Sequence, residues 1–306
     1  MLFRKITFVA ALLVAGITPM RAEDSVATWT QNLSAWRAQH EAEFRDADGW
    51  LSVVGLKWLN PGLNTVGAAA DNQQRIEDLG AEHLLSLRYQ DERVIVEAPS
   101  AGFPAGLSVD GKAAQAGAVL QDGAQASQIR YGSFTLFLIH RGDRLGLRIK
   151  NAHAESLRNF GGLRWYAPNP AYRVLARWIP YDQPRTVTVH NVVNTASEGI
   201  LAGEVQFELD GKTITLLPVL QSLNDHVLFF VLRDATSKTT TYQASRFLHA
   251  SLPDHGLRLP GTVELDFNRL VNPPCAFTPF ATCPLPIEQN KLAVALPVGE
   301  LRYKDE

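Results

Sequence analysis

A helical pattern covers residues 28–45 near the start of the chain. Aromatic and apolar side chains recur there at spacings of three or four, at Trp29, Leu33, Trp36, His40 and Phe44. This spacing predicts an amphipathic helix, which Thr28 and Gln31 would begin as a capping box. Such a tryptophan stripe is typical of a helix that packs against a core or a second domain.

A period of two replaces the helical period over residues 50–150. Short runs of alternating apolar and polar residues are separated by turn residues there, which indicates strands with one buried face. Hairpin turns are predicted at Asp110-Gly111 and Gly142-Asp143. The predicted strands are 84–89, 93–97, 106–109, 118–121, 134–139 and 144–149.

A connection rich in Gly, Pro and Asn follows at 151–170, and strand patterns then resume. The predicted strands of this second half are 172–179, 186–191, 204–209, 213–217, 227–232, 239–242, 246–249 and 263–267. The regular spacing predicts a mainly β protein. We expect an N-terminal helical segment, 23–49, followed by two packed antiparallel β-sandwich or barrel-like units, 50–150 and 171–306.

The stretch 263–300 differs in composition from the rest of the chain. It contains both cysteines and six of the 17 prolines. Proline fixes its own φ and restricts the residue before it, so this stretch beyond residue 268 cannot be a helix or a central strand. Its irregular backbone needs side-chain hydrogen-bond partners. The stretch is therefore either a braced structural loop or a loop that presents a binding site.

Long blocks of the chain carry a family resemblance. They are DFNRLVNPPCAFTPFATCPLPIEQNKL followed by GE at 299–300, GWLSVVGLKWLNPGLNTVG at 49–67, RGDRLGLRIK at 141–150 and TTTYQASRFL at 239–248. In this order they resemble the bacterial and archaeal family named domain of unknown function 1684. The resemblance covers nearly all of the chain after the first two dozen residues. It implies no reaction, since none is assigned to the family.

Residues 1–22 have the pattern of a secretory signal peptide. Arg4 and Lys5 precede an apolar run at 6–17, and the small residue Ala22 closes the segment. Twelve apolar residues are too few to span a bilayer, and no other run approaches that length. We therefore expect an exported protein without a membrane span, periplasmic in a Gram-negative host and otherwise secreted.

The charge balance excludes one class of partner. Removal of residues 1–22 leaves 26 basic and 31 acidic side chains, a net charge of about −5. A mildly acidic surface does not favour nucleic acid. A small molecule is the expected partner.

Cys275 and Cys283 are expected to pair, because two cysteines in an exported protein most simply form a disulfide. The closed loop would contribute about 2.5 kcal/mol. Buried thiols or two metal ligands are the alternatives. The eight histidines form no HxH or HExxH pattern, and no Walker loop, GxGxxG or GxSxG sequence occurs. The sequence thus predicts no metal site and no cofactor.

The strand predicted at 144–149 carries a row of arginines. Arg144 and Arg148 fall on one face, and Arg141 lies across the hairpin turn. Such a row can cover a solvated sheet face. It can also clamp an anion or carboxylate, whose geometry the guanidinium fork matches. A third interpretation is that these arginines pair with Asp266 or Glu300.

A second polar set lies in the last quarter of the chain. Arg246 and Asp266 fall on strands predicted to be neighbours, where they could form a buried pair. Asp266 and Glu300 could act as a general acid and a general base. The members of the set are Asp234, Thr236, Tyr242, Arg246, Asp266, Asn268, Arg269, Asn272, Asn290 and Glu300.

These patterns support three functional hypotheses. The first is binding of a small polar or anionic ligand, a sugar or a carboxylate. Arg148 and Arg246 would hold its charge, and its orientation would be fixed by Asp266, Asn268 and Asn272. The second is a hydrolase in which Asp266 and Glu300 are the catalytic residues. The third is a structural or partner-binding module.

Overall fold

The structure is a computed structural model and describes residues 25–303. The predicted signal segment, 1–22, lies outside these residues. Helix α1 (Val26–Phe44) and a short helix, α2 (Glu155–Arg158), accompany 17 strands in the described part. No helix within residues 25–303 is long and apolar enough to cross a membrane.

Eleven strands belong to the first half of the chain. They are β1 (Val53–Trp58), β2 (Gly62–Gly67), β3 (Gln74–Arg75), β4 (Leu85–Gln90), β5 (Arg93–Glu97), β6 (Ser108–Val109), β7 (Lys112–Ala113), β8 (Val119–Leu120), β9 (Ile129–Tyr131), β10 (Phe134–Arg141) and β11 (Arg144–Asn151). One sheet has the order β1-β11-β10-β9-β6-β7, and a second has the order β3-β2-β4-β5-β8. Their pairs are antiparallel apart from β2–β3. Leu87, Leu136 and Leu147 are among the buried residues of their shared core.

Six strands belong to the second half. They are β12 (Arg173–His190), β13 (Ala196–Leu209), β14 (Lys212–Leu216), β15 (Val227–Leu232), β16 (Arg246–Ser251) and β17 (Gly261–Asp266). The order β14-β13-β12-β17 forms one sheet, and β15 pairs with β16 in another. Their core contains Trp178, Phe230 and Leu265. The predicted mainly β fold, with an N-terminal helix and packed antiparallel sheets, is confirmed.

Two predicted strands, 172–179 and 186–191, are in fact one long strand. The β12–β13 register shifts between Pro180 and Arg185. Proline cannot donate to the ladder, so Pro180 and Pro184 favour a slip in the pairing. The strand itself continues through the slip.

No strand forms at 239–242, so this prediction is wrong. A 3-10 turn at Ala235–Lys238 precedes it, and the peptide N–H groups of Thr239, Thr240 and Thr241 all donate to the Thr236 carbonyl. A donor used in a turn cannot also serve a ladder. The β propensity of three consecutive threonines is therefore overridden by local hydrogen bonding.

Helix α1 begins slightly earlier than its pattern predicts. The N-cap is Ser25, whose Oγ accepts a hydrogen bond from the Thr28 N–H at 3.2 Å. The predicted capping box of Thr28 and Gln31 is thus replaced by a serine cap three residues upstream. Trp29, Leu33 and Phe44 are buried, in agreement with a packing stripe.

The C-terminal segment crosses both halves and covers the outer face of β11. The Thr278 hydroxyl donates to the Val53 carbonyl at 2.9 Å, and the Arg141 guanidinium donates through Nε to Thr282 Oγ1. A small aromatic cluster joins this segment to α1, with the rings of Phe44 and Phe277 at 4.3 Å. The segment therefore covers the part of β11 where Arg148 is buried.

Candidate functional site

Arg148 is the buried member of the arginine row. Leu145, Leu147 and Ile149 face the core, so Arg144 and Arg148 lie on the opposite face, as the alternation predicts. The C-terminal segment leaves Arg148 only 5% exposed, whereas Arg144 is exposed and stacks over Trp58 at 3.9 Å. A solvated sheet face describes Arg144 but not Arg148.

The guanidinium of Arg148 has no carboxylate counter-charge and few hydrogen-bond partners among the described residues. Its Nε and Nη2 atoms are buried and have no hydrogen-bond partner. No Asp or Glu of residues 25–303 forms an ion pair with it, and its contact is the face of Trp50 at 5.1 Å. The predicted pairing of this arginine with Asp266 or Glu300 does not occur. Burial lowers the pKa of Arg148 to about 10, with a further contribution from the like charge of Arg141. The side chain is therefore still a cation at neutral pH.

Arg148 and Arg141 line one cavity of about 400 Å³. Arg141 is held by Thr282 Oγ1 and by the carbonyl of His140, and burial lowers its pKa as well. The cavity also contains a carboxylate, Asp122, but that group is paired with the His140 imidazole. Two arginine side chains thus line a space whose one carboxylate already has a partner.

Cys275 and Cys283 lie on the roof of this region as free thiols. The predicted disulfide is not formed in the structure, because the two sulfurs do not lie at the distance of a disulfide bond. The Cys275 N–H also donates to Cys283 Sγ at 3.1 Å. The neighbouring Cys283 lowers the pKa of Cys275, and the neighbouring Cys275 together with burial raises the pKa of Cys283. Arg148 and Arg141 are close enough to Cys283 for a favourable electrostatic interaction with a negative sulfur.

Metal ligation has no support from the arrangement of side chains. Within residues 25–303, no three His, Cys, Asp or Glu side chains come together as a metal site would require.

Arg246, the second predicted ligand-binding arginine, is fully buried and bonded through both terminal nitrogens, and only its Nε lacks a partner. Its Nη1 donates to Asp234 Oδ2 and to the Leu296 carbonyl, each at 3.0 Å, and its Nη2 donates to the Val298 carbonyl. The predicted pair with Asp266 is replaced by a pair with Asp234. The physical reason is the β15–β16 hairpin: Leu232 lies opposite Arg246, which brings Asp234 to the arginine directly.

Asp266 and Asn268 lie together and attach α1 to the second half. Asp266 accepts hydrogen bonds from the Trp29 indole and from the Asn268 amide, both at 2.9 Å. Asn268 Oδ1 accepts from the Asn169 N–H at 2.8 Å, and the Asn268 carbonyl accepts from Arg37. These side chains are fully occupied by internal contacts.

Asn272 and Glu300 form a second internal pair. The Asn272 backbone N–H and side-chain amide donate to the two Glu300 oxygens at 2.9 and 2.8 Å. Glu300 is 1% exposed, and His40 Nε2 lies 3.8 Å from its Oε2. Sequence reasoning did not identify His40 as a neighbour of Glu300, since the two residues are at opposite ends of the chain.

The two predicted catalytic carboxylates are held at different points along α1. Asp266 contacts Trp29 and Glu300 approaches His40, and these helix positions are separated by a rise of about 16 Å. Carboxylate pairs that cleave glycosides are about 5–9.5 Å apart. The geometry therefore does not favour a hydrolase built on this pair.

Comparison with known proteins gives a family likeness and no activity. Residues 158–301 match the model of a family described as protein of unknown function (DUF1684). The uncharacterized protein from gene locus rrnAC0354 of Haloarcula marismortui, solved by NMR, is 29% identical over 47% of this chain and 78% of its own, with a TM-score of 0.41. No curated protein matches the sequence. Over its second half, the chain thus resembles the DUF1684 family.

Proposed function

We propose that this protein binds a small anion, with a carboxylate as the chemical class, at Arg148 and Arg141. The observation that carries the proposal is the buried guanidinium of Arg148, whose Nε and Nη2 have no partner. A buried charge without a counter-charge costs about 3–5 kcal/mol relative to the paired state. An anion that enters the cavity would supply the missing charge.

The geometry of the group favours a carboxylate. A planar guanidinium presents parallel N–H groups that match the two oxygens of a carboxylate. The cavity of about 400 Å³ has the size of a small-molecule site. Thr282 fixes Arg141 beside it, so the second cation needs no large rearrangement.

A sugar is less well supported as the ligand. The polar side chains predicted to orient a ligand, Asp266, Asn268 and Asn272, are bonded to one another, to Glu300 and to α1. The proposal therefore depends on the arginines and not on these three residues.

We further propose that the protein is exported. The support is the N-terminal pattern of two basic residues, an apolar run at 6–17 and Ala22. Expression of the full chain in a Gram-negative host tests this. We expect the periplasmic fraction to contain a protein that begins at Glu23, and an intact N-terminus in the cytoplasm would contradict export.

Titration calorimetry with short mono- and dicarboxylates tests the anion site, at constant ionic strength and in a buffer without competing anions. We expect saturable binding by the unmodified protein and its loss in Arg148→Met, which keeps an unbranched side chain of similar length. The matched control is Arg144→Met, on the same strand face but exposed. Equal binding by both variants, or no saturable binding of any carboxylate by the unmodified protein, would refute the proposal.

A further inference from the structure

The two thiols of the C-terminal segment differ in environment although they are neighbours in the fold. Cys275 is partly exposed and Cys283 is buried. The Cys275 N–H donates to the Cys283 sulfur at 3.1 Å, which holds the two side chains next to each other. Two thiols held this close require little chain movement to bring their sulfurs to bonding distance.

We propose that Cys275 and Cys283 are a redox-active dithiol, in which Cys275 attacks small-molecule disulfides and Cys283 resolves the mixed disulfide. The proposal depends on the hydrogen bond from the Cys275 N–H that holds the Cys283 sulfur beside Cys275. It differs from a permanent structural disulfide because it assigns the two cysteines separate roles.

The reaction is balanced with the substrate as oxidant. The Cys275 thiolate attacks one sulfur of the substrate R–S–S–R, the substrate S–S bond breaks, and RS⁻ leaves. Cys283 then loses its proton and attacks Cys275 Sγ, which releases the second RS⁻. The leaving thiolates take up the two thiol protons, so the protein dithiol becomes a disulfide and R–S–S–R becomes two R–SH.

Exposure and local chemistry assign the attacking role to Cys275. Only the thiolate is nucleophilic, and a thiolate that reacts must be reachable. Cys275 is the more exposed of the pair, and hydrogen bonding from Cys283 and Tyr242 lowers its pKa. Cys283 is 5% exposed, which suits a thiol that meets only its neighbour.

The local backbone maintains this asymmetry. Cys275 lies in a 3-10 turn at Pro274–Ala276, and the Tyr242 hydroxyl donates to its carbonyl at 3.2 Å. Cys283 precedes Pro284, and Val192 donates to its carbonyl at 3.1 Å. Both cysteines are thus anchored to neighbouring elements in the second half of the chain. The loop between them spans the eight positions that separate them in the sequence.

Trapping of the mixed disulfide tests the proposal. Reduced protein is mixed with oxidised glutathione, quenched with acid at intervals and analysed by intact mass and peptide mapping. We expect the unmodified protein to lose two hydrogens and to form the 275–283 disulfide, with any transient glutathione adduct on Cys275. Cys283→Ser should accumulate a stable adduct on Cys275, and Cys275→Ser should react at least about tenfold more slowly, since its thiol is buried.

Some outcomes would overturn the assignment. These are equal adduct formation in the two serine variants, a transient adduct on Cys283 in the unmodified protein, or a stable adduct that never closes to the internal disulfide. Peptide mapping of the unmodified protein gives the site of the adduct directly, so the test does not depend on the stability of either variant.

Discussion

Two arginines are buried within residues 25–303, Arg148 and Arg246, and they differ in whether a counter-charge lies beside them. Arg246 meets a carboxylate and two backbone carbonyls. Arg148 meets an indole ring and a second arginine, and two of its nitrogens have no partner. Since buried polar groups are normally bonded within the fold, Arg246 with its ion pair to Asp234 is explained by structure alone. The absence of such a counter-charge at Arg148 is the basis of the proposed anion site.

The chain around Arg246 is shaped to satisfy it. Gly299 has φ +80°, and a Cβ at this position would lie 2.6 Å from the Leu270 carbonyl oxygen and 2.8 Å from Arg246 Nη2. Only glycine therefore lets the C-terminal segment pass so closely that the neighbouring carbonyls reach the guanidinium.

The largest predicted effect follows from breaking the satisfied site. Arg246→Met leaves Asp234 buried without its cation and two carbonyls without a donor, so we expect a loss of about 3–5 kcal/mol in the free energy of unfolding. Urea denaturation at neutral pH measures it. A loss below about 1 kcal/mol would show that the network is not a stabilising element.

The second prediction is a gain in the free energy of unfolding, whereas the first is a loss. Arg148→Met removes a buried cation that nothing compensates, and we expect the free energy of unfolding to rise by roughly 1–3 kcal/mol in the absence of ligand. Added carboxylate should stabilise the unmodified protein but not the variant. A destabilised variant would indicate that Arg148 is a structural residue like Arg246.

The pH dependence of this second effect follows from the pKa of Arg148. Its folded-state pKa of about 10 lies below the ordinary value of an arginine, which the unfolded chain retains. Below pH 10 both states are protonated, so the cost of the buried cation is constant, and it is lost only as the pH rises above about 10. The stability difference between Arg148→Met and the unmodified protein should therefore be flat from about pH 6 to 9, which urea denaturation across that range can check.

The sequence predicted correctly those structural features that depend on a local pattern of residues. Strict alternation over 144–149 placed Arg144 and Arg148 on the outer face correctly, and the helical stripe located α1. Strand β2 was not predicted, because its Asn64 and two glycines are poor strand formers. Asn64 is instead stabilised by its side-chain hydrogen bonds to the backbone of Asn60.

The site depends on contacts that no local pattern encodes. What separates Arg148 from Arg144 is the cover supplied by residues more than 125 positions away, at Thr278 and Thr282. The partner of Arg246 was assigned to the wrong strand, since sequence does not give strand order. Both arginines could be identified from the sequence as candidate site residues. The sequence did not show which of them has a carboxylate partner in the fold.

A third, smaller effect sharpens the contrast between structure and site. Trp29→Phe keeps the buried ring but removes the indole donor to Asp266, and we expect a loss of about 1 kcal/mol in the free energy of unfolding. Carboxylate affinity should be unchanged, because this contact belongs to helix docking. A parallel loss of affinity in calorimetry would mean that α1 docking and the anion site are coupled.

The smallest effect is expected at Arg144, and it tests whether burial or mere charge defines the site. Arg144 has the same strand face and the same side chain as Arg148 but is exposed, with Trp58 as its contact. Arg144→Met should lower the free energy of unfolding by only about 0.5 kcal/mol, the size of an exposed cation–π contact. If it instead weakened carboxylate binding as much as Arg148→Met does, attraction by the whole basic face would explain the binding, and the unsatisfied nitrogens of Arg148 would not. Unchanged affinity would leave the buried, uncompensated guanidinium as the feature that distinguishes two otherwise equivalent residues.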